Sequence, residues 1–201
     1  MDLQTVKANL EERGYRVSCF DDADAAAAYI NAQIDGKTVG IGGSLTVEEL
    51  GLYDSLGAHN TVYWHWRCPA GSTPDELRAA AAGAEQYIAS VNGLAATGEI
   101  VNIDGSGNRV AATIYGHKKV WFIVGENKLA PDLAGAIDRA RNIAAPRNAH
   151  RLGVMTPCAA HGDKCCDCKS PARICRALSV FWEAPFGSEY EVVLIAKPLG
   201  Y

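Results

Sequence analysis

The spacing of apolar residues changes repeatedly along the chain, and each change marks an element. Leu3, Val6 and Leu10 recur at helical spacing within residues 1–13, after which residues 15–20 alternate as a short strand does. Asp21 and Asp22 are candidate N-caps for an alanine-rich helix running to about residue 34. Thr38-Val39-Gly40-Ile41 reads as a strand that enters Gly42-Gly43-Ser44, and Val47, Leu50 and Leu52 then return to helical spacing. Residues 61–66 form the next predicted strand. Ser72-Thr73-Pro74-Asp75-Glu76 combines a cap, a first-turn proline and acidic residues at the positive end of a helix, and predicts a helix reaching residue 87 or 90. Short extended segments between 94 and 103, a helix over 109–115, a strand over 119–124, a helix over 131–143 and a last strand over 189–196 complete the pattern.

Strands that alternate with helices predict an α/β fold: a mostly parallel sheet with helices on both faces, to which a C-terminal cysteine-rich metal-binding loop at 156–176 is added. Such sheets hold ligands at the carboxyl ends of their strands. No repeat or Pro/Ser-rich linker interrupts the 201 residues, so one domain over 1–201 is expected. The 19 Lys+Arg against 23 Asp+Glu give a net charge of -4 with scattered basic residues, which argues against nucleic acid as a partner. The amphipathic N-terminus is unlike an export signal, and the apolar runs at 120–124 and 192–196 fall far short of the roughly 20 residues a membrane span needs. A cytoplasmic protein without a transmembrane segment is therefore expected, and its seven cysteines are expected to be reduced.

Three groups of residues carry candidate chemistry. Gly40-Ile41-Gly42-Gly43-Ser44 lets backbone N–H groups approach an anion at a helix start, and Ser44 and Thr46 add hydroxyls. It matches neither the P-loop nor the full dinucleotide fingerprint, so it points to an anionic small molecule without naming a nucleotide. Around the next glycine-rich loop, Glu99 and Asp104 are candidate general bases and Arg109 a candidate clamp for carboxylate or phosphate, although Asp-Gly and Gly-Asn are also simple turn chemistry. Asn127 and Lys128 follow an apolar strand at the expected ligand edge. The densest signal is Cys158, Cys165, Cys168 and Cys175, separated by six, two and six residues. Four soft ligands so close together suit a tetrahedral zinc or an iron-sulfur cluster such as [4Fe-4S], and the spacing does not choose between them. Cys166 and His161 remain alternative ligands. Arg139, Arg141, Arg147, Arg151 and Arg173 precede or accompany the thiols and either offset their charge, contact a redox partner or end solvated helices. Cys19, Cys68 and His65 read as structural.

Gly40-Ile41-Gly42-Gly43-Ser44 with Glu48-Glu49-Leu50-Gly51, then Thr97-Gly98-Glu99-Ile100, Asn102-Ile103-Asp104-Gly105 and Gly107-Asn108-Arg109, resembles the lactate-utilisation, or LUD, domain family. The resemblance continues through Val124-Gly125-Glu126-Asn127-Lys128, Ala145-Pro146, Thr156-Pro157-Cys158, Asp167-Cys168 and Arg173-Ile174-Cys175, and covers nearly the whole chain after residue 30. It implies a fold similar to the ribose-phosphate isomerase and CoA-transferase superfamily, whose members hold phosphate or CoA groups on glycine loops. It also implies a role beside iron-sulfur subunits that oxidise lactate to pyruvate in bacteria. The chain lacks the close C-x-x-C-x-x-C run of a ferredoxin-like segment. The expectation is thus an accessory redox subunit of a lactate-oxidising oxidoreductase complex. Its cluster would relay electrons, its glycine loops would hold an anionic small molecule, and its partner would be an iron-sulfur or oxidoreductase subunit, with a homo-oligomer left open. The rival readings are a non-redox enzyme using Glu99 or Asp104, or a metabolite-binding module, each with a structural zinc.

Overall fold

The computed structural model describes residues 2–201; Met1, which the predicted N-terminal helix included, lies outside the described residues. Asp2 caps helix α1 (Leu3–Glu12) by accepting from the amides of Gln4 and Thr5. Strand β1 (Arg16–Phe20) and helix α2 (Ala23–Gln33), capped by Asp22, follow as the periodicity predicts. After β2 (Thr38–Ile41), the predicted helix is split into α3 (Leu45–Glu49) and α4 (Leu52–Gly57), because Gly51 takes a left-handed φ of 61°. Strand β3 (Thr61–Trp64) leads to α5 (Pro74–Ala82), whose start is the capping box of Thr73 and Glu76.

The structure overturns the expected course of that helix. It ends at Gly83, and residues predicted to extend it form strand β4 (Gln86–Ser90), a central strand of the sheet. Because β4 is covered on both faces, Tyr87 and Ala89 face one layer and Ile88 the other, and no polar alternation separates it from the preceding alanines. Next come β5 (Gly93–Ala95), β6 (Ile100–Asp104), α6 (Asn108–Ile114), β7 (Lys119–Gly125) and β8 (Leu129–Ala130). The helix expected to stop near residue 143 instead continues as α7 (Leu133–Arg139), a π-helical turn (Ala140–Ala144) and α8 (Ala145–Leu152). The π turn immediately precedes Pro146, a residue that cannot donate to the ladder of the continuous rod. Two further strands close the chain, β9 (Ala177–Phe181) and β10 (Glu189–Ile195).

The main sheet has the order β1-β10-β7-β4-β2-β3, and every neighbouring pair is parallel. Alternation along β7 divides the core. Val120, Phe122 and Val124 pack with α1, α5 and α6, while Trp121 and Ile123 pack with α2, α3 and α4. Helices therefore cover both faces. A second, mixed sheet in the order β8-β5-β6-β9 adds Leu94, Ile100 and Phe181 to the first layer, and α7 packs on β5. The sequence pattern predicted neither β8 nor β9. Among the described residues no helix is long and apolar enough to cross a membrane.

Candidate functional site

The carboxyl ends of β2, β4 and β7 open into a cleft of 390 Å³, closed from the other side by the loop after β6, by α8 and by the last residues of the chain. The glycine loop forms one edge. Gly43, Ser44 and Thr46 line the cleft, whereas Gly40 and Gly42 do not. Each glycine answers a close approach. A Cβ at Gly40 would lie 2.5 Å from the Ala81 carbonyl of α5, one at Gly42 would lie 3.1 Å from Arg109, and one at Gly43 would lie 3.2 Å from the Trp66 ring. Ser44 caps α3 by accepting from the Val47 amide at 3.3 Å.

Lys128 stands at the base of the cleft with 3% of its surface exposed. Its ammonium donates to Ser90 Oγ at 2.6 Å and to Thr46 Oγ1 at 2.7 Å. Both hydroxyls pass their own protons on, Ser90 to the Ile123 carbonyl at 2.5 Å and Thr46 to the Leu199 carbonyl at 3.3 Å. Burial, and then the charges of Arg139 and Arg109, push the amine down to about 7, with Glu49 opposing. Asn127 ties down the C-terminal segment instead, accepting from the Leu199 amide at 3.0 Å and donating to the Gly200 carbonyl at 3.2 Å.

Asp104 and Arg109 also line the cleft, but the protein engages their polar groups. Arg109 donates through Nη1 to Asn102 Oδ1 at 2.6 Å and to the Ser90 carbonyl at 3.1 Å, and through Nη2 to the Ile103 carbonyl at 2.6 Å and Asn92 Oδ1 at 2.9 Å. Asp104 accepts from the amides of Gly107 and Val110 at the start of α6, with one oxygen 3.8 Å from Arg109 Nε. Arg109 thus braces the end of β4 and the loop after it against β6. Glu99 does not line the cleft: it pairs with Arg13 of α1 at 2.8 Å and accepts from the Thr97 hydroxyl.

Two lining groups carried no flag in the sequence: Ser90 ends β4, the strand hidden in an alanine-rich helical pattern, and Asn92 follows it. Arg151 of α8 lines the cleft with its guanidinium 4.5 Å from the Trp66 ring centre, which places that aromatic and His65 at the same rim. Arg139 braces the floor by donating to the carbonyls of Asn127 at 2.8 Å and Asn92 at 2.5 Å, and makes no thiol contact.

All seven cysteines are free thiols: Cys19 lies in β1, Cys68 follows β3, and the other five lie in the loop between α8 and β9. Cys158, Cys165, Cys168 and Cys175 line one small void; Cys165 and Cys175 also face a groove of 240 Å³ bordered by Arg141 and Arg173. Two N–H donors point at sulfurs, and a hydroxyl lies beside a third. Arg173 Nε lies 3.2 Å from Cys175 Sγ, the Asp167 amide 3.3 Å from Cys165 Sγ, and Thr156 Oγ1 3.4 Å from Cys158 Sγ. Asp167, at a left-handed φ of 42°, pairs with Arg141 at 3.3 Å and Arg173 at 3.4 Å. Cys166 is exposed, and neither it nor His161 lines the void. Among the described residues no three His, Cys, Asp or Glu side chains stand close enough to hold one metal ion, so the expected metal-binding loop is present as a cysteine-rich loop only.

The LUD domain family model matches residues 3–195. The chain belongs to the LUD domain family. A solved protein of the DUF162 family from Deinococcus radiodurans superposes with a TM-score of 0.56 at 12% identity, covering 96% of this chain and 95% of that one, which shows a shared fold. Ribose 5-phosphate isomerase from Plasmodium falciparum gives a TM-score of 0.35 at 16% identity over 54% of this chain and 52% of its own. The eIF2B beta subunit from Chaetomium thermophilum gives 0.37 at 16% identity over 55% of this chain and 43% of its own. No curated protein matches the chain. In this LUD domain the cleft and the thiol void have a wall in common, since Ala145 and Ile174 face both.

Proposed function

We propose that this LUD domain is an accessory redox subunit of a lactate-utilisation-type system, with an iron-sulfur cluster on Cys158, Cys165, Cys168 and Cys175 and an anionic small molecule in the cleft. The observation that carries the reading is the shared wall: Ala145 and Ile174 line both the void of the four clustered thiols and a cleft lined by Lys128, Arg78 and Arg151. The donor set fits a tetrathiolate cluster. Cys158, Cys165, Cys168 and Cys175 line one void, and four soft thiolates are the donor set that an iron-sulfur cluster takes, one per iron, and that a structural zinc takes as well. Hydrogen bonds from Arg173, Thr156 and the Asp167 amide stabilise sulfur-borne negative charge. When bound, the cluster would supply one-electron transfer. The chain's own residues would bind and orient the anion beside it and keep the thiolates compensated. A partner iron-sulfur or oxidoreductase subunit would exchange the electrons.

The test is iron, sulfide and zinc analysis with a visible spectrum on anaerobically purified protein and on Cys168→Ser. Iron with labile sulfide and a visible band, both diminished in the variant, is the expected result. Stoichiometric zinc without sulfide overturns the redox reading and leaves the cleft as a non-redox site.

A further inference from the structure

Lys128 is a buried cation without a carboxylate partner. The groups facing it come from every element around the base of the cleft: Thr46 and Glu49 of α3, Ser90 at the end of β4, Arg109 of α6, Arg139 of α7, and Gly200 beside Tyr201 in the C-terminal segment. Only Glu49 among them is acidic, and one of its oxygens accepts from the Gly200 amide at 2.8 Å. The remaining charges are the guanidinium groups of Arg139 and of Arg109, the latter with Asp104 3.8 Å from its Nε. Burial of a cation among cations is unfavourable unless it sheds its proton or gains an anion.

The hydrogen-bond directions permit both states. Ser90 and Thr46 spend their protons on the Ile123 and Leu199 carbonyls, so each offers the amine an acceptor. Two of the amine's N–H bonds are thereby fixed in either state. The third position is a lone pair when the amine is neutral and a donor when it is charged. Arg109 cannot meet an incoming anion with comparable freedom, because protein acceptors hold both its Nη atoms.

From this geometry we propose that entry of a small oxyanion, a carboxylate or a phosphate, into the cleft is coupled to uptake of one proton by Lys128. The inference rests on the anion-binding part of the proposed function and not on the cluster. The amine is the base, solvent supplies the proton, and the ammonium so formed donates its third N–H to the oxyanion. Ligand and proton then bind as a pair, so affinity for a given oxyanion falls as pH rises above neutrality. The neighbouring arginines make the empty cleft costly for the ammonium, and the anion removes that cost.

The experiment follows the ε-carbon resonance of Lys128 through a pH titration of air-free, lysine-labelled protein, assigned by its loss in Lys128→Met and, should that variant not fold, in Lys128→Gln. Inorganic phosphate and L-lactate are the two probes. The expected midpoint without either is near 7. An oxyanion within hydrogen-bond reach should raise it by about one to three pH units. A rise with phosphate alone or with lactate alone identifies which oxyanion the cleft accepts and supports the coupling. A midpoint near that of exposed lysines without ligand overturns the proposal, and so does a midpoint that neither probe moves. The cluster reading is judged separately: iron and sulfide present while Lys128 fails to respond would reject only the coupling, and zinc with a responding Lys128 would reject only the redox role.

Discussion

Replacement of Lys128 by methionine should make the stability difference between the two proteins depend on pH in a calculable way. The folded amine titrates at about 7 against an ordinary value of 10.5. Between these values the unfolded chain holds a proton that the native protein has released, so stability rises with pH through this window. The penalty is absent above 10.5, grows as pH falls, and is constant below about 7. A separation of that size corresponds to a ceiling of ~5 kcal/mol. Methionine has similar reach and no titration, so the variant lacks the slope. It leaves the Ser90 and Thr46 oxygens without their donor, at a cost of about 1–3 kcal/mol each that does not vary with pH. Urea unfolding of both proteins in anion-poor buffer from pH 6 to 10 separates the two effects, because only the titration bends the difference curve. The wild type should gain on the variant by several kcal/mol as pH rises through the window. A difference flat to within about 1 kcal/mol would mean that Lys128 keeps an ordinary proton affinity and that its burial has been misjudged.

Three further substitutions probe how the framework is held. Lys119→Met strips the cation 2.7 Å from Glu191, which is 1% exposed, and should cost about 3–5 kcal/mol in chemical denaturation, with much of the loss recovered in the double variant with Glu191→Gln. Burial alone would push the Glu191 carboxyl up, but hydrogen bonds from Lys119, Tyr29 and Ser18 together hold it below its ordinary 4.5; its contribution is full above that pH and is lost as pH falls below it, so Glu191→Gln should flatten the acid limb of the stability curve. Gly93→Ala would drive a Cβ into the Ala136 backbone carbonyl of α7 and should lower stability by about 1–3 kcal/mol, read by thermal unfolding.

The sequence was legible where local chemistry decides the structure. Asp22 and the Ser72–Glu76 start signal begin helices where their side chains say they should. It misled where burial removes the contrast that periodicity needs. Strand β4 carries Tyr87, Ile88 and Ala89 into two apolar layers, so the helical pattern of the preceding alanines continues unbroken into it. That strand delivers Ser90, and with it half of the Lys128 cradle, which is why the cleft could be placed by its glycines and by Lys128 but not completed. Strand β9 is half exposed at its start and follows a cysteine-rich loop, and only its antiparallel pairing with β6 defines it. Glu99 and Asp104 stand near each other in sequence, yet β6 runs between them and carries one towards α1 and the other to the cleft.

The relation between cleft and thiols follows from the π turn. Helices α7 and α8 form one rod whose first half packs on the second sheet and whose second half borders the cleft; the extra residue of the π turn rotates the register between them. Rotation there lets Ala144, Ala145 and Asn148 face the cleft, while Arg141 and Pro146 face the thiols. On the far side, Ile174 occupies the position before the last cysteine of the cluster motif, so the loop that presents Cys175 also closes the cleft. The loop that carries Cys175 thus meets the cleft and the thiol void through Ile174 itself, without a relay through the parallel sheet.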